Sequence, residues 1–548
     1  MKILLTTVNV SYIHQNLAIR ILYFLNKDIA GLQLKEFFVK SDYNEAALYC
    51  SSFNIVAFSC YIWNIETILK LAETIKTINP DCKILLGGPE VSFDNHLIIN
   101  NPNIDFIISG EGELPFRSFL QNYPDLTHVP SLIWKQNNIV ITNSAQVCTN
   151  LDFLNQCNPY IFDNPDELKN KINYVEASRG CPFTCTFCMS GIDNNLRFIS
   201  EPTLFSNLHY LMQHGRVIKF LDRTFNSNKH FAIKIFKYIL ENRKPDNIFQ
   251  FEIKADILHQ DIIDFLEQNT PKGIFRFEIG IQTLVEKANE ATLRKQNFDK
   301  IKSVITRLSP VIEMHLDLIA GLPHEYYSDI KYSFEQVFQL FAPELQLGFL
   351  KFLKGTSIRD NAGLHGYVFS ENPPYQIISS HYLNPDEIAD IHLVEQMLDI
   401  YWNRKRAKRV LKYMAQHGSV FNFLLQLGQM HQQSYSENNF TANNSFQLIY
   451  NTAISFEPNN LVLQQLIAIE YYLHHKVCPG VKFVPEISKS EKIKILDNLN
   501  FNTHKYRYII IGIDFNFALF DSTNCIEMQQ NILVFEYNGK NTAQITVL

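Results

Sequence analysis

Three cysteines, Cys181, Cys185 and Cys188, stand at C-x3-C-x2-C spacing just after an apolar, strand-like run, Ile172–Ala177. Cysteine thiolates hold iron–sulfur clusters, and a [4Fe–4S] cube has four irons. Three ligands leave one iron without a protein ligand, and that open corner can bind and polarise a small molecule. A structural zinc site pairs two half-sites. None of the other cysteines supplies a second pair at metal spacing. Chance proximity or a zinc half-site is the alternative; the expected arrangement is a loop that leaves a strand end, wraps a cluster and keeps one side of it accessible.

At 548 residues the length suggests three or four domains, taking about 150 residues for each. Hydrophobic residues make up 46% and charged residues 19%, as in a globular protein with large cores. The net charge of −6 gives no global reason to expect a nucleic-acid partner. Ten cysteines in this length are no disulfide framework, and a thiolate cluster needs a reducing compartment, so a cytoplasmic location is expected. Met1–Val8 reads as a buried strand and not as a signal peptide. No long uncharged apolar run argues for a membrane span.

The first 120 residues alternate strand and helix patterns. Apolar runs at Lys2–Thr7, Leu34–Val39, Asn54–Ser59, Lys83–Gly87 and Asp105–Ser109 are separated by helical segments at Asn16–Asn26, Asn44–Ser51, Ile65–Ile78 and Glu113–Gln121. This predicts a parallel sheet with helices on both faces, with ligands beyond the carboxyl ends of its strands. Ser131–Thr142 reads as two strands joined by a polar turn, and the Asp-, Asn- and Pro-rich stretch from Asn150 to Asn170 as a mostly extended bridge. From Ile172 to about Leu353 six further strand patterns alternate with helices, short of the eight of a closed barrel. Beyond Pro373, a capped helix start at Asn384-Pro385 leads a helical pattern to about Met414, Gln432–Asn444 is a polar loop, and Tyr506–Ile513 with Asn531–Tyr537 suggest a small sheet. Lys405, Lys408, Arg409 and Lys412 share one helix face, which could meet phosphate or RNA but is expected to be solvated.

The cysteine stretch, with aromatic Phe187 before the last cysteine, resembles the signature of the radical S-adenosylmethionine (radical SAM) enzymes. The resemblance implies that Cys181, Cys185 and Cys188 bind a [4Fe–4S] cluster whose free iron chelates SAM, and that Phe187 meets the adenine. One electron from the cluster would then yield a 5′-deoxyadenosyl radical. The later strand ends extend the likeness. Asp222-Arg223-Thr224 resembles the segment that contacts the SAM amino group. Glu278-Ile279-Gly280-Ile281-Gln282 resembles Glu-x-Gly-x-Gln, and Asp317–Pro323, with Gly321, resembles Asp-x-Ile-x-Gly-Leu-Pro near the adenine. Glu252 or Lys254 is a candidate for the ribose, the carboxylate or the substrate. The alternative for each charged residue is an ion pair inside a partial (β/α)6 barrel.

The N-terminal strand ends resemble the cobalamin-binding domain that precedes many radical SAM cores. His14 stands where a cobalt-ligating histidine is found, although Tyr12 and Leu17 replace the motif's aspartate and glycine. Ser59, the pair Gly87-Gly88, and Glu111 in Gly110-Glu111-Gly112 occupy the other loops. A histidine that only packs, base-off cobalamin with no protein ligand, or a degenerate Rossmann-like domain without cobalamin fits the same residues. The implied architecture is a doubly wound Rossmann-like cobalamin domain (1–125), a connector (126–171), the radical SAM partial barrel (172–372) and a mainly helical accessory domain with a small sheet (373–548). The implied chemistry is methyl transfer to an unactivated carbon of a small-molecule or natural-product substrate, with SAM and cobalamin as cofactors and flavodoxin or ferredoxin as electron donor. A radical rearrangement enzyme, a tRNA methylthiotransferase with a second cluster on Cys50, Cys60 and Cys82, and a corrinoid- or SAM-sensing module are the alternatives.

Overall fold

The computed structural model describes residues 1–137, 139–435, 440–499 and 501–548. The chain divides into two compact units, one of residues 1–314, 321–324 and 349–382, the other of 315–320, 325–348 and 383–548.

The first unit opens with strands β1 (Ile3–Asn9), β2 (Leu32–Phe38), β3 (Ile55–Ser59), β4 (Lys83–Gly87), β5 (Phe106–Ile108), β6 (Leu132–Gln136) and β7 (Ile139–Thr142). Their order is β2-β1-β3-β4-β5-β6-β7. The first five are parallel, and all seven residues of β1 are buried, because helices cover both faces of the sheet. Leu4, Val56 and Leu86 face one apolar layer, and Leu5, Ala57 and Leu85 the other. Order reverses between β1 and β3, so a crevice opens beyond their carboxyl ends.

Two connector expectations change. The hairpin β6–β7 is not free-standing but extends the sheet antiparallel to β5. Asn138, in its expected turn, lies outside the described residues. The stretch from Asn150 to Asn170 is folded rather than extended. It holds a short 3-10 turn at Asp152–Leu154 and a helical turn at Pro165–Leu168. Buried Tyr160 anchors it, donating to the Tyr174 carbonyl at 2.7 Å.

The second alternation begins with β8 (Ile172–Val175), β9 (Val217–Phe220), β10 (Ile248–Glu252) and β11 (Phe275–Gln282), paired in parallel in that order. On β11 burial alternates strictly. Phe275, Phe277, Ile279 and Ile281 are buried, while Arg276, Glu278, Gly280 and Gln282 face the other way. Two more strands, β12 (Glu313–Ala320) and β13 (Glu344–Phe349), complete six strand–helix repeats in chain order.

The second unit continues with helices Pro385–Leu398, Lys408–His417, Val420–Ser434, Ala442–Phe456, Leu461–His474 and Lys489–Asn498. An antiparallel sheet of β14 (Arg507–Phe515), β15 (Met528–Tyr537) and β16 (Gln544–Val547) follows. The helix expected to run to Met414 breaks over residues 404–407, where Lys405 adopts a φ of 58°. Lys405 is exposed at that break, but the other three cations of the basic face are partly buried. Lys408 donates to the Pro343 carbonyl and lies over Trp402, Lys412 lies over Phe341, and Arg409 pairs with Glu470 and Asp521. These cations are used in packing, which removes the phosphate-binding option. Residues 436–439 of the expected polar loop lie outside the described residues. No helix among the described residues is long and apolar enough to cross a membrane.

Candidate functional site

The cysteine loop leaves the carboxyl end of β8. Ser178-Arg179 pairs antiparallel with Arg197-Phe198, which closes the loop at its base. Gly180 takes a φ of +88°, and a Cβ there would stand 2.4 Å from the Asn195 carbonyl oxygen, so only glycine makes this entry. The loop is tied by backbone bonds from Cys181 to Asp193 (3.0 Å), Cys188 to Cys185 (3.1 Å) and Thr186 to Thr292 (3.1 Å). Cys181 is buried; Cys185 and Cys188 are half-buried. Burial pushes the Cys185 thiol up, Arg294 opposes that, and Cys188 and Cys181 are near enough to add to it. Among the described residues no three His, Cys, Asp or Glu groups converge on a single ion.

Asp222, from the end of β9, braces this loop. Its carboxylate is 2% exposed and accepts from the Ala177 amide (2.9 Å) and the Ser178 hydroxyl (2.5 Å). Burial lifts its pKa to about 7 against those two bonds. Thr224 places its hydroxyl 3.6 Å from the Cys181 sulfur. Arg223 is 58% exposed and reaches Glu252 at 3.5 Å. Glu278 is bound by both Lys219 (2.9 Å) and Gln250 (2.5 Å), a charged cluster on the same sheet face. Lys254 pairs with Asp256 and lies 5.3 Å over the Phe183 ring.

Gln282 takes a φ of 69° and folds its amide over Gly280, where a Cβ would stand 2.2 Å from Nε2. Its Oε1 is buried with no hydrogen-bond partner among the described residues. Such an acceptor is costly unless a donor reaches it, so it fits a site completed by a ligand. Gly321 (φ +98°) is required by Ile377, whose Cδ1 would lie 2.7 Å from a Cβ. Phe187 is half-buried.

Beyond the ends of β1, β3, β4 and β5 lies a cavity of about 450 Å³. Its apolar floor includes Leu5, Ala57, Leu85 and Phe116; its polar rim includes Ser59, Ser109, Glu111 and Arg179. Gly87, Gly88 and Met189 also line it. A volume of this size with an apolar floor and few polar groups suits an organic ligand. Gly88 is set by its own fold: φ is +106° and a Cβ would stand 2.6 Å from the Cys60 carbonyl oxygen. Gly110 (φ +80°) lines the cavity with no atom within 4 Å of its Cβ position, which leaves that wall open to a ligand.

The cavity also carries the ionic tie between sheet and cluster loop. Arg197 grips both oxygens of Glu111, at 3.0 and 2.9 Å. Arg179 meets Glu113 at 2.6 Å and Glu176 at 3.0 Å. Burial works against the Glu111 charge, yet the Arg197 bonds and the Arg179 charge hold its pKa below the usual range. His14 lies apart from the cavity's lining residues. Its Nδ1 is 2.7 Å from the Tyr174 hydroxyl on β8, and burial, then Lys219, lowers its pKa, leaving a neutral imidazole at pH 7.

Sequence reasoning missed Arg179, Met189 and Phe93 as cavity residues, though the first two flank the cysteine motif directly. Cys50, Cys60 and Cys82 are buried in the apolar layer with Leu4 and Leu86, and burial raises their thiols. That core position does not favour the second-cluster alternative, as their places in the strand pattern suggest.

Comparison with known proteins agrees with this layout. Residues 3–120 match the B12 binding domain and residues 175–337 the radical SAM superfamily. Matches to a B12 binding domain and to the radical SAM superfamily thus follow one another along the chain. Residues 363–535 match a family described only as a protein of unknown function, DUF4080. The cobalamin-dependent radical SAM methyltransferase TokK of Streptomyces tokunonensis is 27% identical over 177 residues, covering 29% of this chain and 26% of its own length. An uncharacterized methyltransferase of Pyrococcus horikoshii is 32% identical over 195 residues, covering 33% of this chain and 41% of its own. The chain thus spans less than half the length of each of these relatives. Among solved structures, the cobalamin-dependent S-adenosylmethionine radical enzyme OxsB with aqua-cobalamin bound matches at a TM-score of 0.59 and 12% identity. It covers 85% of this chain and 80% of its own. At that identity the likeness is one of fold.

Proposed function

We propose that this chain is a cobalamin-dependent radical SAM enzyme that transfers a methyl group to an unactivated carbon of a small-molecule substrate. The observation that carries this reading is the single cavity walled both by the β1–β5 strand ends and by Arg179 and Met189 of the cysteine loop. When bound, the cluster supplies an electron for SAM cleavage and the corrinoid carries the methyl group. The remaining work falls to residues of the chain. Cys181, Cys185 and Cys188 hold the cluster, and Asp222 keeps their loop in place. Phe187, Arg223, Thr224, Glu252, Gln282 and Gly321 form the SAM side, where the open Oε1 of Gln282 accepts from a hydroxyl or ammonium donor. Glu278, tied to Lys219 and Gln250, orders that face of the sheet. Ser59, Gly87, Gly88, Gly110 and Glu111 shape the corrinoid side, and Arg179 and Arg197 fix its distance from the cluster. His14, a neutral imidazole held by Tyr174, orients the first strand's loop. A reductant such as flavodoxin or ferredoxin in a reducing, cytoplasmic setting completes the system.

The test is reduction of the loaded protein with methyl-labelled SAM and a small-molecule extract. Label in an organic product together with 5′-deoxyadenosine supports the proposal. Deoxyadenosine with label never leaving SAM or its sulfur product for a substrate sinks it.

A further inference from the structure

The cavity wall is not self-sufficient within residues 3–120. One side is the four-residue helix Pro89–Ser92 with Phe93; Pro89, Ser92 and Phe93 all line the cavity. A single turn of helix has almost no stability of its own, and its cap, Gly88, makes no side-chain capping bond. Support comes from a strap that follows the last barrel strand. The strap is tied at its base by Lys351 bridging Gln376, the Phe352 amide bonding the Tyr375 carbonyl at 2.9 Å, and the Ile377 amide bonding Leu350 at 3.0 Å.

The strap grips that helix at three points. Glu90, with a side chain only 6% exposed, is paired with Lys354 at 2.8 Å and takes a hydrogen bond from the Tyr375 hydroxyl. Lys354 also donates to the Glu90 carbonyl at 3.3 Å. A buried carboxylate is tolerated only when so paired, so Glu90 locks where these two groups are. Gly355, at φ +78°, lies flat on the Phe93 ring, where a Cβ would stand 2.5 Å from ring carbons. Arg359 lies 4.9 Å over the Tyr375 ring and 3.7 Å from Asp94.

We propose that Lys354, Gly355 and Tyr375 are positioning residues for the corrinoid: they hold the Pro89–Phe93 wall in the shape that accepts it. This rests on the reading that the cavity takes cobalamin. The consequence is a cofactor site completed by residues more than 200 positions away, Lys354 and Gly355 from the stretch between the radical SAM and DUF4080 matches and Tyr375 from the start of the latter.

The experiment titrates hydroxocobalamin into the full-length protein, purified without oxygen and free of corrinoid, and reads bound against free absorbance after ultrafiltration. Tyr375→Phe removes one hydroxyl, and Lys354→Met the charge; each raises the dissociation constant about tenfold or more, the value of a hydrogen bond or pair to a buried charge. Gly355→Ala does the same by displacing Phe93. Lys354→Arg restores most of the affinity. The melting shift on adding hydroxocobalamin shrinks in Tyr375→Phe and Lys354→Met, while iron content is unchanged. Affinity equal to wild type in Tyr375→Phe and Lys354→Met, or a lower melting point of the corrinoid-free protein with unaltered affinity, overturns the proposal. Failure of the wild type itself to bind hydroxocobalamin overturns the underlying reading and the proposal with it.

Discussion

Replacing Asp222 with asparagine separates the cost of its charge from the value of its geometry. The carboxyl is 2% exposed, and burial raises its pKa from 3.8 to about 7. A carboxyl whose folded pKa lies above its unfolded one binds its proton more tightly when folded, so stability falls as pH rises between the two values. The penalty is absent below pH 3.8, grows to pH 7 and is constant above. A shift of about three units corresponds to about 4 kcal/mol, of which about 2 kcal/mol develops between pH 5.5 and 8. Asparagine does not titrate, yet its Oδ1 can accept from the Ala177 amide while its amide donates to the Ser178 hydroxyl. The difference in melting point between Asp222→Asn and the wild type is therefore expected to widen in the variant's favour by about 3 °C from pH 5.5 to 8. That figure uses about 1.5 °C per kcal/mol for a cooperative unit of about 350 residues. Thermal denaturation of reduced, cluster-free protein across this range is the assay. A difference that stays constant with pH refutes the assignment of a costly buried charge at this brace.

Three other outcomes follow from the same geometry. Gly88→Ala drives a Cβ against the Cys60 carbonyl at positive φ, so it costs about 1–3 kcal/mol in thermal stability and removes corrinoid retention; normal retention would contradict this. Cys185→Ala leaves the half-buried loop folded, by circular dichroism, but drops iron to background; retained cluster absorbance would exclude it as a ligand. Because no histidine is among the cavity's lining residues, the cobalt(II) resonance spectrum of loaded protein is expected to be unchanged in His14→Ala. A splitting that His14→Ala abolishes would make His14 the ligand.

Elements with a clear period were legible from residues alone. Ile65–Ile78 and Lys83–Gly87 fall where their apolar spacing places them. Long-range pairing was not: nothing local in Leu132–Thr142 says that it joins the sheet edge beside β5. Asp, Asn and Pro made residues 150–170 read as extended, because turn-forming composition masks one deeply buried anchor such as Tyr160. The basic helix misled in the opposite way. Lys408, Arg409 and Lys412 look solvated by spacing, but their partners Pro343, Glu470 and Phe341 come from distant sequence. The site divides along the same line. Cys181–Cys188 and the strand-end glycines carry local signatures, whereas the Glu90–Tyr375 contact, 285 residues apart, has none.

The central claim is that one chain holds a cluster and a corrinoid side by side. The direct measurement is the iron, sulfide and corrinoid content of protein purified without oxygen from cobalamin-fed cells. The account predicts about four irons and one corrinoid for each chain. About four irons with no corrinoid, even after reconstitution with cobalamin, would leave Ser59, Gly87, Gly88 and the cavity as scaffold and contradict it.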